Sequence, residues 1–113
     1  MIRITGQLVD IFAKKIYPAE LVMEEGKIRS ITPLEDGATN VSGAHLPYIL
    51  PGFIDAHVHI ESSLLIPSEF ARLAVVHGTI GTVSDPHEIA NVYGMEGVDF
   101  MIRTGRTGPF YFN

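Results

Sequence analysis

The chain contains no cysteine and no tryptophan. Without thiols there is neither a disulfide framework nor a thiolate metal site, so a bound metal would have to be held by imidazole, carboxylate or other oxygen ligands. Uninterrupted apolar runs are also missing. Nothing approaches the ~20 residues that span a bilayer, and the opening "MIRITGQLVD" lacks the basic and then long apolar pattern of a signal peptide. Basic residues are scarce: 8 against 13 acidic ones, for a formal charge of −5, with Lys14 and Lys15 the sole adjacent pair. That balance gives no electrostatic reason to expect nucleic acid as a partner. Internal repeats and low-complexity tracts are absent. These exclusions leave a soluble cytoplasmic protein with no membrane or nucleic-acid partner as the expectation.

What remains is an ordinary folding composition, with 46% hydrophobic and 19% charged residues in a chain of 113. Its grammar changes partway along. Residues 2–31 read as three short antiparallel strands, "RITGQLVDIF", "KKIYPAELVMEE" and "GKIRSITPL", with Glu25-Gly26 a two-residue hairpin turn in which Gly26 supplies the positive φ. Residues 35–44, "EDGATNVSGA", are a polar loop, and the domain boundary is expected there, dividing 1–45 from 46–113. Beyond it, strand and helix alternate. "YILPGFIDAHV" is a strand, Pro67 and Ser68 open a helix closed by Gly78, and "TIGTVSD" is a second strand. "HEIANVYG" is a helical turn ended by Gly94, "MEGVDFMIRTG" another helix, and "GPFYFN" the opening of a third strand. This is the pattern of α/β folds with a parallel sheet, whose reactive groups gather at the carboxyl ends of strands. A sheet this small is open at both edges, so the chain reads as a truncated protein in which Phe110, Tyr111 and Phe112 are left as exposed apolar surface.

The stretch "LPGFIDAHVHIESS", residues 50–63, carries the chemistry. Asp55, His57, His59 and Glu61 alternate with Ile54, Ala56, Val58 and Ile60, and on a strand all four polar side chains would project to one side. Two imidazoles two residues apart share a face and can bind one divalent ion. Alone the pair is weak evidence. With 5 histidines in the chain, roughly one shuffled sequence in five would contain such a spacing, so a bare pair is better read as packed histidines satisfied by carbonyls. The flanking carboxylates, and a second cluster Asp85-Pro86-His87-Glu88 at the end of the next strand, shift that balance. Each of Glu61, Asp85, His87 and Glu88 has a plain alternative: Asp85-Pro86 is a good turn, and Glu88 could favour the following helix through its dipole. Asp55 could orient an imidazole or satisfy backbone donors. His77 reads as a helix C-terminal residue and His45 as solvated.

These residues carry a family resemblance. "PGFIDAHVHIESS", then "PSEFARLAVVHGT" and "VSDPHEIANVYG", resembles the N-terminal part of adenine deaminases of the amidohydrolase superfamily over most of residues 46–97. "GFIDxHxH" is shared by many amidohydrolases; "IESS" and "SDPHEIANV" point to adenine deaminase. The resemblance implies a β-rich composite sandwich segment over 1–45 and, over 46–113, the first β/α units of a TIM-type (β/α)8 barrel. It implies His57 and His59 as metal ligands; Asp55, Glu61, Asp85, His87 and Glu88 stay candidates for further ligands or their supports, beside the plain alternatives above. It further implies a divalent metal, manganese or iron favoured and zinc fitting, and hydrolysis of adenine to hypoxanthine and ammonia in purine metabolism by a longer parent whose later strands supply a bridging carboxylate, more histidines and a late aspartate. The chain alone is expected to be inactive and to self-associate. Alternatives are another amidohydrolase acting on a cyclic amide or amidine, and a non-catalytic, self-associating segment with structural histidines. One departure is visible, Gly78-Thr79-Ile80-Gly81-Thr82 in place of a threonine-rich strand, and it is expected to affect packing rather than chemistry.

Overall fold

The computed structural model describes residues 1–35 and 46–113. Most of the expected polar loop, and His45 with it, lies outside the described residues. Two compact units are present, Met1–Pro51 and Gly52–Asn113.

In the first unit β1 (Ile2–Asp10), β2 (Lys15–Glu24) and β3 (Lys27–Pro33) form the expected antiparallel meander. Asp10 organises the first turn by accepting hydrogen bonds from the backbone N–H groups of Phe12 (3.1 Å) and Ala13 (2.8 Å). At the second turn both Glu25 (φ 51°) and Gly26 (φ 74°) are left-handed, the requirement of a two-residue primed hairpin. Period-two alternation puts Leu8, Tyr17, Ala19 and Leu21 on one face, where Leu8, Ala19 and Leu21 are buried. A fourth strand, β4 (Tyr48–Ile49), pairs in parallel with β1 and packs Ile49 on that core. The segment expected as one strand, "YILPGFIDAHV", is therefore two strands in two sheets. Pro51 and Gly52 break it, and residues 46–51 belong with the first unit.

The second unit is a parallel sheet in the order β5 (Phe53–Val58), β6 (Thr79–Ser84), β7 (Tyr111–Phe112). Helix α1 (Pro67–Val75) joins the first two strands and α2 (His87–Gly105) the last two. Pro67 occupies the first helical turn of α1, where its missing N–H costs nothing. Gly78 at φ 89° closes the connection. Helix α2 is two helical segments merged across Gly94 (φ 61°, ψ −153°), as the break expected at that glycine implies. At Gly81, within the departure from a threonine-rich strand, a Cβ would lie 3.0 Å from both the Cβ and the backbone oxygen of Tyr111, so a larger residue would press on β7 and the departure bears on packing.

The aromatic run at 110–112 corrects the expectation of a uniformly exposed surface. Phe110 is buried, Phe112 half-buried, and Tyr111 alone is largely exposed at 70%. Alternation explains it: Phe110 and Phe112 share a side, with ring centroids 4.8 Å apart, and Phe110 meets Phe70 of α1 edge-on at 6.1 Å. No helix among the described residues is long and apolar enough to cross a membrane.

Removing the Phe110 ring is expected to cost about 3–5 kcal/mol, the range for a large buried aromatic, whereas Tyr111→Ala should cost less than about 1 kcal/mol. Urea unfolding of the two variants checks this; equal losses would contradict the burial assignment.

Candidate metal centre

The last paired residues of β5 and β6 are Val58 and Ser84. Because the strands are parallel, the residues that follow them, His59 and Asp85, emerge at the same edge. The ring Nδ1 of His59 lies 3.1 Å from the backbone oxygen of Asp85. A carbonyl only accepts, so Nδ1 carries the proton and the lone pair of a neutral His59 is on Nε2. His87, at the start of α2, repeats the arrangement, with Nδ1 3.0 Å from Oδ2 of Asp85. Asp85 thus fixes two imidazoles, one through its backbone and one through its carboxylate, and both turn Nε2 outward. This is how metal-binding histidines are commonly oriented.

The rings are close together. Nε2 of His57 and Nε2 of His59 are 3.0 Å apart. Centroids are separated by 4.6 Å for His57 and His59 and by 4.7 Å for His59 and His87, each pair edge to face. Ligand atoms of His59, His87 and Glu88 lie within 4.8 Å of one another. A cation about 2.0–2.1 Å from both facing nitrogens would see them near a right angle, an acceptable angle between neighbouring ligands. The donors are imidazole and carboxylate without sulfur, a set suited to zinc, iron or manganese.

Asp55 and Glu61 stand apart from this cluster. Asp55 Oδ1 accepts the backbone N–H of His57 at 3.0 Å, so its carboxylate holds the strand rather than a ring. Glu61 does not continue the alternation, because β5 stops at Val58 and residues 61–63 form a 3-10 turn ended by Leu64 at φ 60°. Its Oε1 accepts from the backbone N–H groups of Glu88 (3.2 Å) and Ile89 (3.4 Å). His77 is exposed and lies outside the cluster. Ser62, which sequence reasoning passed over, donates its hydroxyl to Oε2 of Glu88. Its place between Glu61 and Ser63 in the conspicuous "ESS" was the available signal.

Imidazoles and carboxylates gathered at the carboxyl edge of parallel β/α units form the kind of site that metal-dependent β/α hydrolases use. Residues 48–110 match the family described as the amidohydrolase family, and the chain belongs to it. The chain is also similar to curated proteins named adenine deaminase: 59% identical over 109 residues to that of Salinibacter ruber, 56% over 104 residues to that of a Sulfurovum species, and 48% over 112 residues to that of Borreliella burgdorferi. These matches cover 96%, 92% and 99% of this chain but 19%, 18% and 19% of the relatives. The chain spans about a fifth of the length of the curated relatives it matches.

In the metal-free chain the neutral rings of His59 and His87 are both expected as the tautomer protonated on Nδ1. Long-range proton–nitrogen correlation spectra distinguish the tautomers. The opposite tautomer at either residue would show that Asp85 does not orient that ring.

Proposed function

We propose that this chain is the metal-binding opening of an enzyme that hydrolyses adenine to hypoxanthine and ammonia. The observation that carries the reading is the meeting of His57, His59 and His87 at one sheet edge, with two of the rings held by Asp85. The substrate in this reading follows the name shared by the relatives, adenine deaminase, and is supported by identities of 48–59%. In this reading the parallel order β5-β6-β7 with its connecting helices is the start of a (β/α)8 barrel, and the sheet β1–β4 is part of a composite β-sandwich. His57 and His59 hold a divalent ion, His87 and Glu88, whose ligand atoms lie within 4.8 Å of that of His59, are candidates to join it, and Asp85 orients the His59 and His87 rings. Manganese or iron is favoured by the family resemblance, and zinc fits the same donors. When bound, such an ion supplies Lewis acidity and a water ionisable near neutral pH. The departing amine needs a proton, and the carboxylates of this chain at the same edge are Asp85 and Glu88. The remaining groups would come from sequence that corresponds to the rest of the relatives.

A second reading rests on apolar surface. Phe53 (56% exposed), Ile54 (67%) and Tyr111 are on the second sheet, and the helix side holds a groove of about 490 Å³ lined by Ile60, Met101, Ile102, Phe110 and Phe112 among others. Something covers such a surface. Later barrel elements do so in the first reading; in the second, copies of this chain associate through it and the histidines are structural.

Replacing His57 and His59 together by alanine in a complete protein carrying this segment is expected to abolish bound metal and adenine turnover. The melting transition of the metal-free form should move little, since His57 is exposed and His59 only half-buried. The isolated chain, loaded with manganese, should turn over adenine far below the ~1 per second of ordinary enzymes. A double variant that kept its metal and its rate would overturn the ligand assignment.

A further inference from the structure

Glu61 is placed to do something other than bind metal. Helix α2 begins after Pro86, which has no side-chain acceptor, and no local side chain caps the first turn. The first N–H groups of a helix have no partner inside it, and here two of them, on Glu88 and Ile89, are taken by Oε1 of a residue 27 and 28 positions earlier in the chain. Oε2 of Glu61 is buried with no partner among the described residues. A carboxylate that gives up water on one oxygen is tolerated where orphan N–H groups and the positive end of a helix favour negative charge. Ser62 adds its hydroxyl to the Glu88 carboxylate, and His59 adds its ring to the Asp85 carbonyl.

We infer that Glu61 is a positioning residue: it caps α2 from the turn that follows β5, and thereby sets the separation between His59 and His87. Each of those histidines is on one of the two segments that Glu61 joins. His59 lies two residues before Glu61, and His87 immediately precedes the first amide that Glu61 holds. The three-residue ligand group formed among the described residues is His59, His87 and Glu88, without Glu61. The inference rests on the metal-site reading for its functional meaning, but the geometry it asserts exists without metal.

The test uses the 113-residue chain as Glu61→Gln, Glu61→Ala and Glu61→Ala with Pro86→Ser. Glutamine keeps an oxygen acceptor; the serine offers α2 a local cap. Without metal, Glu61→Ala should accelerate amide exchange at Glu88 and Ile89 by about tenfold or more and abolish the proton Overhauser contact between the His59 and His87 rings. Glu61→Gln should retain both, and native exchange at buried Thr82 in β6 reports that the second unit is folded. The double variant should regain amide protection at the helix start but not the contact between the rings. With manganese added, Glu61→Ala should bind about 10-fold more weakly, and Glu61→Gln within about threefold of the parent. Native ring contact in Glu61→Ala, or its restoration by Pro86→Ser, would overturn the inference, as would Glu61→Gln binding as weakly as Glu61→Ala, which would make Glu61 a ligand. If the parent chain bound no manganese while the metal-free results came out as stated, the metal reading would fail and the positioning role would stand.

Discussion

The parallel pairing of β5 with β6 is the constraint on which the rest of the candidate site depends. Val58 opposite Ser84 is the last rung, and two parallel strands that end together deliver their following residues to one place. An antiparallel partner would have carried Asp85 and His87 to the far end of the sheet. Given the parallel register, His59 reaches the carbonyl of Asp85, 26 positions further along the chain. The helix that makes the crossover, α1, needs to do no chemistry; it has to return the chain to the correct edge.

Around that rung the polar contacts are orienting rather than stabilising. The side chains of His87 and Asp85 are 52% and 61% exposed, a range in which such a polar contact adds at most about 1 kcal/mol. The stability of the second unit comes instead from Ile60, Met101 and Phe110, buried nearby. The division of labour is visible along the chain, since buried Ile60 lies between His59 and Glu61. An apolar anchor separates a group aimed at the cluster from one aimed at the start of α2. Under the proposed reading, this lets the ligands be arranged without contributing to the core.

Much of this was legible in the sequence where the signal was local. Gly26, Gly78 and Gly94 all adopt positive φ, so the turn, helix end and helix break expected at them are backbone requirements. The clusters at 57–59 and 85–88 were expected at one rim because strand and helix alternate, a pattern that parallel sheets impose. What sequence could not show depended on distant partners. The two residues of β4 pair with β1, and nothing in "YILPGF" distinguishes that pairing from continuation into β5. Glu61 was expected past the strand end, but where it would turn was not legible, because the end of β5 is set by where β6 stops supporting it. The aromatic run was treated as one surface, although alternation alone separates Phe110 and Phe112 from Tyr111.

The central claim is that His57, His59 and His87 act on one cation, and paramagnetic titration of the chain with Co²⁺ tests it most directly. The described residues hold four histidines, and one of them, His77, is outside the cluster. At one equivalent of cobalt the account predicts strongly shifted ring protons at His57, His59 and His87, with those of His77 unchanged. Equal shifts at His77 and at the three clustered rings, or shifts confined to His77, would contradict it.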